Sequence, residues 1–145
     1  MKDKIIALYK KYEELVNYII VGIMTTLVSW LVYFGSVYTF LEAEDWLQLQ
    51  VANILSWVAG VAFSYVTNRK FVFKSKEKNI LKEAVQFSVS RLSTLFLDMA
   101  VMFVMVTALG IHDGFSKIVS AVLVTIANYV LSKVFVFRPK ENGRP

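Results

Sequence analysis

Arg91, Thr94 and Asp98 lie inside an apolar stretch at i, i+3 and i+7, the spacing of one helix face. A second polar series, Lys117, Ser120, Asn128 and Ser132, follows later in the chain. An earlier series reads Asn53, Ser56, Gly60, Ser64 and Asn68, with Arg69 next to it. Arginine grips a phosphate with a planar fork, and lysine attracts it as a point charge. Amides and hydroxyls on the same faces suit sugar hydroxyls or a neutral headgroup. The chemistry offered is therefore recognition of an anion. No nucleophile–base pair, carboxylate pair or glycine-rich phosphate loop accompanies these residues, so no catalytic set and no enzyme is expected. With no cysteine in the chain, disulfides and thiolate metal sites are excluded. The one histidine, His112, has only Asp113 beside it, whereas metal sites use three or four ligands. A solvated loop is expected there, with no metal and no cofactor.

The elements that carry these residues are read from hydropathy. The chain has 145 residues, 57% apolar and 19% charged, and its charges are clustered. A soluble protein is nearer 45–50% or so apolar. Four runs reach the roughly 20 residues needed to cross a bilayer: 15–41, 46–68, 84–111 and 115–137. Backbone groups in lipid must be satisfied within the segment, so each run is expected to be a helix. Residues 1–14 are charged throughout, and the apolar run after them is too long for a cleavable signal peptide. The net charge of +5 arises from bases that flank apolar runs, which argues against a nucleic-acid partner.

Loop charge sets the orientation. Residues 69–83 hold six bases and two acids. Lys2, Lys4, Lys10 and Lys11 precede the first run, and Arg138, Lys140 and Arg144 follow the last. The 41–50 loop has three acids and no base, and the 110–116 loop is nearly neutral. Positive residues stay inside, so both termini are expected in the cytoplasm of a multi-pass cytoplasmic-membrane protein.

"NRKFVFK" at 68–74 nearly repeats as "SKVFVFR" at 132–138, an offset of 64 that also aligns Tyr65 with Tyr129 and Ser56 with Ser120. The first and third runs align at an offset of 69, Glu14 falling on Glu83. The expected fold is an all-α integral membrane protein: one transmembrane domain over 1–145, made of two tandem helical hairpins (about 14–74 and 83–138). Each copy has an even number of spans, so the repeat is parallel. The "FVF" elements are expected to be interfacial anchors at the cytoplasmic ends of the second and fourth helices.

The two copies differ in charge. Gly22, Thr25 and Ser29 in the first become Arg91, Thr94 and Asp98 in the second, and Asn53 becomes Lys117. Small and hydroxyl residues allow close helix packing, which accounts for Gly22, Thr25, Ser29, Ser56 and Gly60. Packing does not account for charges that cost roughly 2.5–3.5 kcal/mol each near the bilayer centre. Lys117, near the outer end of its helix, either snorkels or serves function. Asp98 holds Arg91 or Lys117, or is protonated; an Arg91–Asp98 pair within one helix is disfavoured, since such pairs form at i+3 or i+4. Two cations against one acid favour an anion with a membrane-compatible body, such as a lipid phosphate.

"NYIIVG" opening the first run, "FSYVTNRKFVF" (63–73) and "ANYVLSKVFVF" (127–137) closing the second and fourth, and an arginine early in the third resemble the GtrA family over about 15–138. By that resemblance Gly22, Asn53, Asn68, Arg69, Arg91, Lys117 and Asn128 match family positions. The resemblance implies a flippase that moves a polyprenyl-phosphate-linked sugar, or polyprenyl phosphate, across the cytoplasmic membrane for envelope polysaccharide biosynthesis. Membrane glycosyltransferases would be its partners. Substrate-binding candidates are Arg91, Lys117, Asp98, Asn128, Asn53, Thr94, Asn68 and Arg69. Four spans make a thin wall for a large headgroup, which suggests a homodimer. Two other readings stand: a small proton-coupled exporter of cations using Asp98, and a membrane scaffold that docks a glycosyltransferase on the basic 69–83 loop.

Overall fold

The computed structural model describes residues 1–42 and 44–137. All regular elements among them are helical. Helix α1 spans Lys2–Thr39, α2 Trp46–Thr67, α3 Ile80–Met102 and α4 Asp113–Leu131. Three of the four continue into a π-helical turn: α2 through Asn68–Val72, α3 through Phe103–Ala108 and α4 through Ser132–Val136. With these extensions, all four are long and apolar enough to cross a membrane. Leu31, Phe96, Ile118 and Phe135 are more than half exposed, as expected where the solvent is hydrocarbon. Arg138, Lys140 and Arg144 lie outside the described residues.

The helix ends are set by local chemistry. Asp45 caps α2, accepting the amides of Leu47 (2.9 Å) and Gln48 (3.3 Å). Asn79 caps α3 by accepting the Lys82 amide at 3.1 Å. His112 caps α4, its Nδ1 accepting the Gly114 amide at 3.1 Å. That imidazole lies in an exposed loop beside Asp113, 3.4 Å away. No group of three or more His, Asp or Glu able to hold a metal occurs among the described residues. Beyond α3, Gly110 turns the chain with φ +64°, a conformation that favours glycine.

The chain divides into two compact units, Met1–Lys74 and Ser75–Pro145. In the first, Ser29 and Thr25 of α1 meet Gly60 of α2, while Tyr18 meets Phe73 beyond the end of α2. The helices are thus antiparallel, a hairpin. The second unit is also a hairpin: Asp98 of α3 meets Lys117 near the start of α4, and Phe87 meets Phe137 beyond its end.

At the end of each hairpin that an aromatic pair closes, the repeat recurs in three dimensions. Tyr18–Phe73 and Phe87–Phe137 are equivalent pairs, with ring centroids 6.2 and 5.8 Å apart and interplanar angles of 60° and 54°. The π turns beyond α2 and α4 fall at equivalent positions and close through equivalent bonds, Phe73 amide to Asn68 carbonyl (2.9 Å) and Phe137 amide to Ser132 carbonyl (2.8 Å). This turn explains how "FVF" is used. The first Phe of each copy, Phe71 or Phe135, points outward as an anchor would. Val72 and Val136 are buried, and the last Phe ties the hairpin shut against α1 or α3.

Candidate functional site

The polar stripes of α3 and α4 face each other within the second hairpin. Midway along, the Thr94 hydroxyl lies 2.7 Å from Asn128 Oδ1 and 2.9 Å from its own-helix Arg91 carbonyl. Its single proton is shared between the two acceptors. Both side chains are buried, so this contact crosses a dry interface. One turn further along α3 sits the charged cluster. Lys117 Nζ donates to both oxygens of Asp98, at 3.0 and 2.7 Å. The Ser120 hydroxyl donates to Asp98 Oδ1 at 2.5 Å. Lys117 and Ser120 are three apart, so α4 presents both donors on one face.

The cluster is asymmetric in exposure. Ser120 is buried, the Asp98 side chain is 24% exposed, and Lys117 is 60% exposed. The carboxylate is fixed from beneath by the hydroxyl, and the ammonium reaches it from the open side. Lys117 therefore has an accessible flank that another anionic oxygen can approach. Of the two cations open to Asp98 on sequence grounds, the lysine of the facing helix is its partner. Lys117 lies four residues into α4, and its side chain turns inward to Asp98.

Arg91 lies two turns before Asp98 on the same face of α3. It is half-buried, with its guanidinium 4.8 Å from the centre of the Phe87 ring, a cation–π contact. Phe87 is wholly buried and packs on Phe137, so the arginine is held on the aromatic pair that closes the hairpin. The stripe thus brings five of the candidates into one interface: Arg91, Thr94, Asp98, Lys117 and Asn128. Ser120 joins them as a sixth member; the sequence placed it on the polar stripe of the fourth run but not among the substrate-binding candidates.

Asn53, Asn68 and Arg69 belong to the first hairpin. Asn53 is exposed, and its carbonyl accepts the Ser56 hydroxyl at 2.9 Å. Asn68 is wholly buried at the start of the π turn. Its amide donates to the Ser64 carbonyl (2.7 Å) and hydroxyl (3.0 Å), while its Oδ1 has no hydrogen-bond partner. Arg69 is half-buried on the same turn.

The equivalent interface in the first hairpin is sealed by contact instead of charge. A Cβ on Gly60 would collide with the Ser29 hydroxyl, and Thr25 Cγ2 and Ser29 Cβ would each be 3.6 Å away. At the matching positions the second hairpin has Val124 and Asp98. The two copies therefore solve one packing position in different ways: a close helix approach through glycine, or a carboxylate linking the helices. Gly22, expected to share in close packing, would meet nothing within 4 Å if it carried a Cβ.

The chain matches the family model described as GtrA/DPMS, transmembrane domain, over residues 17–137. It is 32% identical over 142 residues to the cell wall teichoic acid glycosylation protein GtcA of Listeria monocytogenes serovar 1/2a, covering 96% of this chain and 94% of that protein. The protein of the same name from Listeria innocua serovar 6a is 35% identical over 136 residues, 89% of this chain and 88% of its own. An uncharacterized membrane protein of Bacillus subtilis (strain 168), YwcD, is 32% identical over 130 residues, 87% and 98%. No solved structure matches the chain at a significant level. Four apolar helices, a family match across both hairpins and relatives aligned over nearly their full length lead to one assignment: the chain is a multi-pass membrane protein and belongs to the GtrA family.

Proposed function

We propose that the protein moves a polyprenyl-phosphate-linked monosaccharide, or the bare polyprenyl phosphate, across the cytoplasmic membrane to supply glycosylation of an envelope polysaccharide. The names of its relatives, which refer to teichoic acid glycosylation in the cell wall, support the polysaccharide end of this reading. The observation that carries the membrane end is the Asp98–Lys117–Ser120 cluster. Its carboxylate engages an ammonium and a hydroxyl, two donors that also suit a phosphate oxygen. A sugar-linked phosphodiester carries one negative charge, as a carboxylate does, and the bare prenyl phosphate carries more; either competes for Lys117 from its accessible flank. Arg91, roughly 10 Å along α3 at 1.5 Å per residue, gives the headgroup a second cation at another depth. Asn128 and Thr94 lie between the two charges and bond to each other, tying α3 to α4 there. The prenyl chain stays in lipid throughout, so only the polar head needs a protein path. Membrane glycosyltransferases load the lipid on one side and consume it on the other.

Proteoliposomes with a prenyl-phosphate sugar test this directly, by the fraction of lipid exposed in each leaflet over time. The protein speeds exchange between leaflets, and Arg91→Ala and Lys117→Met abolish that exchange while helix content is retained. Normal exchange by both variants overturns the reading.

A further inference from the structure

Helix α1 is 38 residues long, about 57 Å at 1.5 Å per residue, against a hydrocarbon core of roughly 30 Å. Its helical path is broken at Tyr12, which has φ −112° and ψ 15°. The ten residues before that break are not part of the apolar run, yet they are helical. Ile5, Leu8 and Tyr9 lie at i, i+3 and i+4, with Tyr12 at i+7, within about 100° of the helix circumference. Ile5 is 62%, Leu8 59% and Tyr9 48% exposed, so no described part of the chain covers this stripe. Lys4 and Lys11 flank one edge of it and Lys2 the other, with Ile6 just beyond; Asp3, Ala7 and Lys10 occupy the far side. Residues 2–12 hold four lysines and a single acid.

We propose that residues 2–12 form an interfacial helix lying on an anionic phospholipid surface, its Ile5–Leu8–Tyr9 stripe sunk among the acyl chains. The observations favour this occupant over a protein partner in two ways. The lysines border the apolar stripe, so they sit at headgroup level when the stripe is buried in lipid, and their stems lie along the boundary. The segment also joins a membrane span directly through the Tyr12 break, which lets it turn from the bilayer normal into the plane. Membrane surface is therefore within reach without any docking partner. The surface engaged is the leaflet from which α1 emerges, and each lysine near anionic lipid adds to the attraction. This inference does not depend on what the protein transports.

The chain has no cysteine, so single-cysteine variants of the full-length protein carry one label each. Nitroxide labels are placed at 5, 8 and 9, and at 3, 7 and 10, in nanodiscs of phosphatidylglycerol and phosphatidylethanolamine. Labels at 5, 8 and 9 are expected to collide with oxygen and avoid a water-soluble nickel chelate; labels at 3, 7 and 10 show the reverse. In neutral phosphatidylcholine, or with Lys2→Gln, Lys4→Gln and Lys11→Gln combined, that contrast falls. Chelate access at all six positions in the anionic discs overturns the proposal. So does shielding of 5, 8 and 9 from both reagents, which means protein covers the stripe. A contrast unchanged in neutral lipid and in the triple variant also overturns it, because the lysines then have no part in binding.

Discussion

Lys117 and Asp98 carry opposite charges in adjoining spans, and each makes the other tolerable there. Removing the carboxylate leaves the lysine facing Asn with a weaker dipole. Both groups lie in membrane spans, so Asp98→Asn, which leaves the ammonium without its counter-ion, is expected to destabilise the hairpin by up to about 2.5–3.5 kcal/mol, less as Lys117 snorkels outward. It also acts on binding. Asp98 occupies the donors a phosphate would use, so Asp98→Asn should tighten prenyl-phosphate affinity several-fold, on the order of 1 kcal/mol. Titration of a fluorescent prenyl phosphate into the detergent-solubilised variant reads this. Affinity that falls in the variant would mean Asp98 helps hold the ligand. Thr94→Ala makes a contrasting case. It removes a buried contact between α3 and α4 and should destabilise the second hairpin by about 0.6–1.7 kcal/mol, the range for such bonds in membrane helices. Equilibrium unfolding in mixed micelles checks it.

At the scale of the helices, Gly60 is a position where the two hairpins pack differently. Two effects oppose each other in Gly60→Val. Leaving glycine favours the helix by up to about 1 kcal/mol, while overpacking against Ser29 and Thr25 costs about 1–3 kcal/mol. The steric term should win, since Ser29 Cβ and Thr25 Cγ2 already stand at contact distance from the first carbon added. The variant is expected to unfold more easily, and Val124→Gly in the other hairpin should not reproduce the effect of closing that gap. The start of α2 offers a test by pH. The amides of Gln48 and Leu47 bond to the Asp45 carboxylate and hold its pKa below the ordinary aspartate value. The folded pKa is depressed, so the cap's stabilisation is present above the unfolded value and is lost as pH falls through the folded one. Protection of the Leu47 and Gln48 amides from exchange, relative to the intrinsic rate at each pH, should therefore fall only below the ordinary aspartate range, and Asp45→Asn should remove that acid-sensitive step.

Much of this was legible in the residues, and what was not has physical reasons. The apolar runs and the i, i+3, i+7 polar stripes are periodic, so span, helix face and depth follow from position alone. That is why Thr94, Asn128, Asp98 and Lys117 are found on facing surfaces. Position does not specify reach across to the next helix, so choosing between Arg91 and Lys117 as partner of Asp98 needed coordinates. The π turns left no mark, because one extra residue in a turn changes no composition. They are what send the last Phe of each "FVF" into Tyr18 or Phe87 while the first points out. Charge marked residues 1–14 as lying outside the bilayer but carried no information on whether they are helical. At the scale of the whole molecule, loop charge predicts an arrangement that labelling can check. A cysteine at Lys78 should react with an impermeant reagent only from the cytoplasmic side, and one at Glu42 or Asp113 only from the outside. Lys78 reacting from outside would invert the arrangement and, with it, the depths assigned to Arg91 and Lys117.

On the proposed function, the charged face of the second hairpin binds the phosphate of a prenyl lipid. The measurement closest to it compares binding of a prenyl phosphate with the matching neutral prenyl alcohol, using the native chain, Arg91→Ala and Lys117→Met. The native chain should prefer the phosphate, and each substitution should weaken phosphate binding by about tenfold or more, the worth of a hydrogen bond to a charged group, without changing the response to the alcohol. Equal affinity for alcohol and phosphate, or phosphate binding untouched by both substitutions, would contradict it.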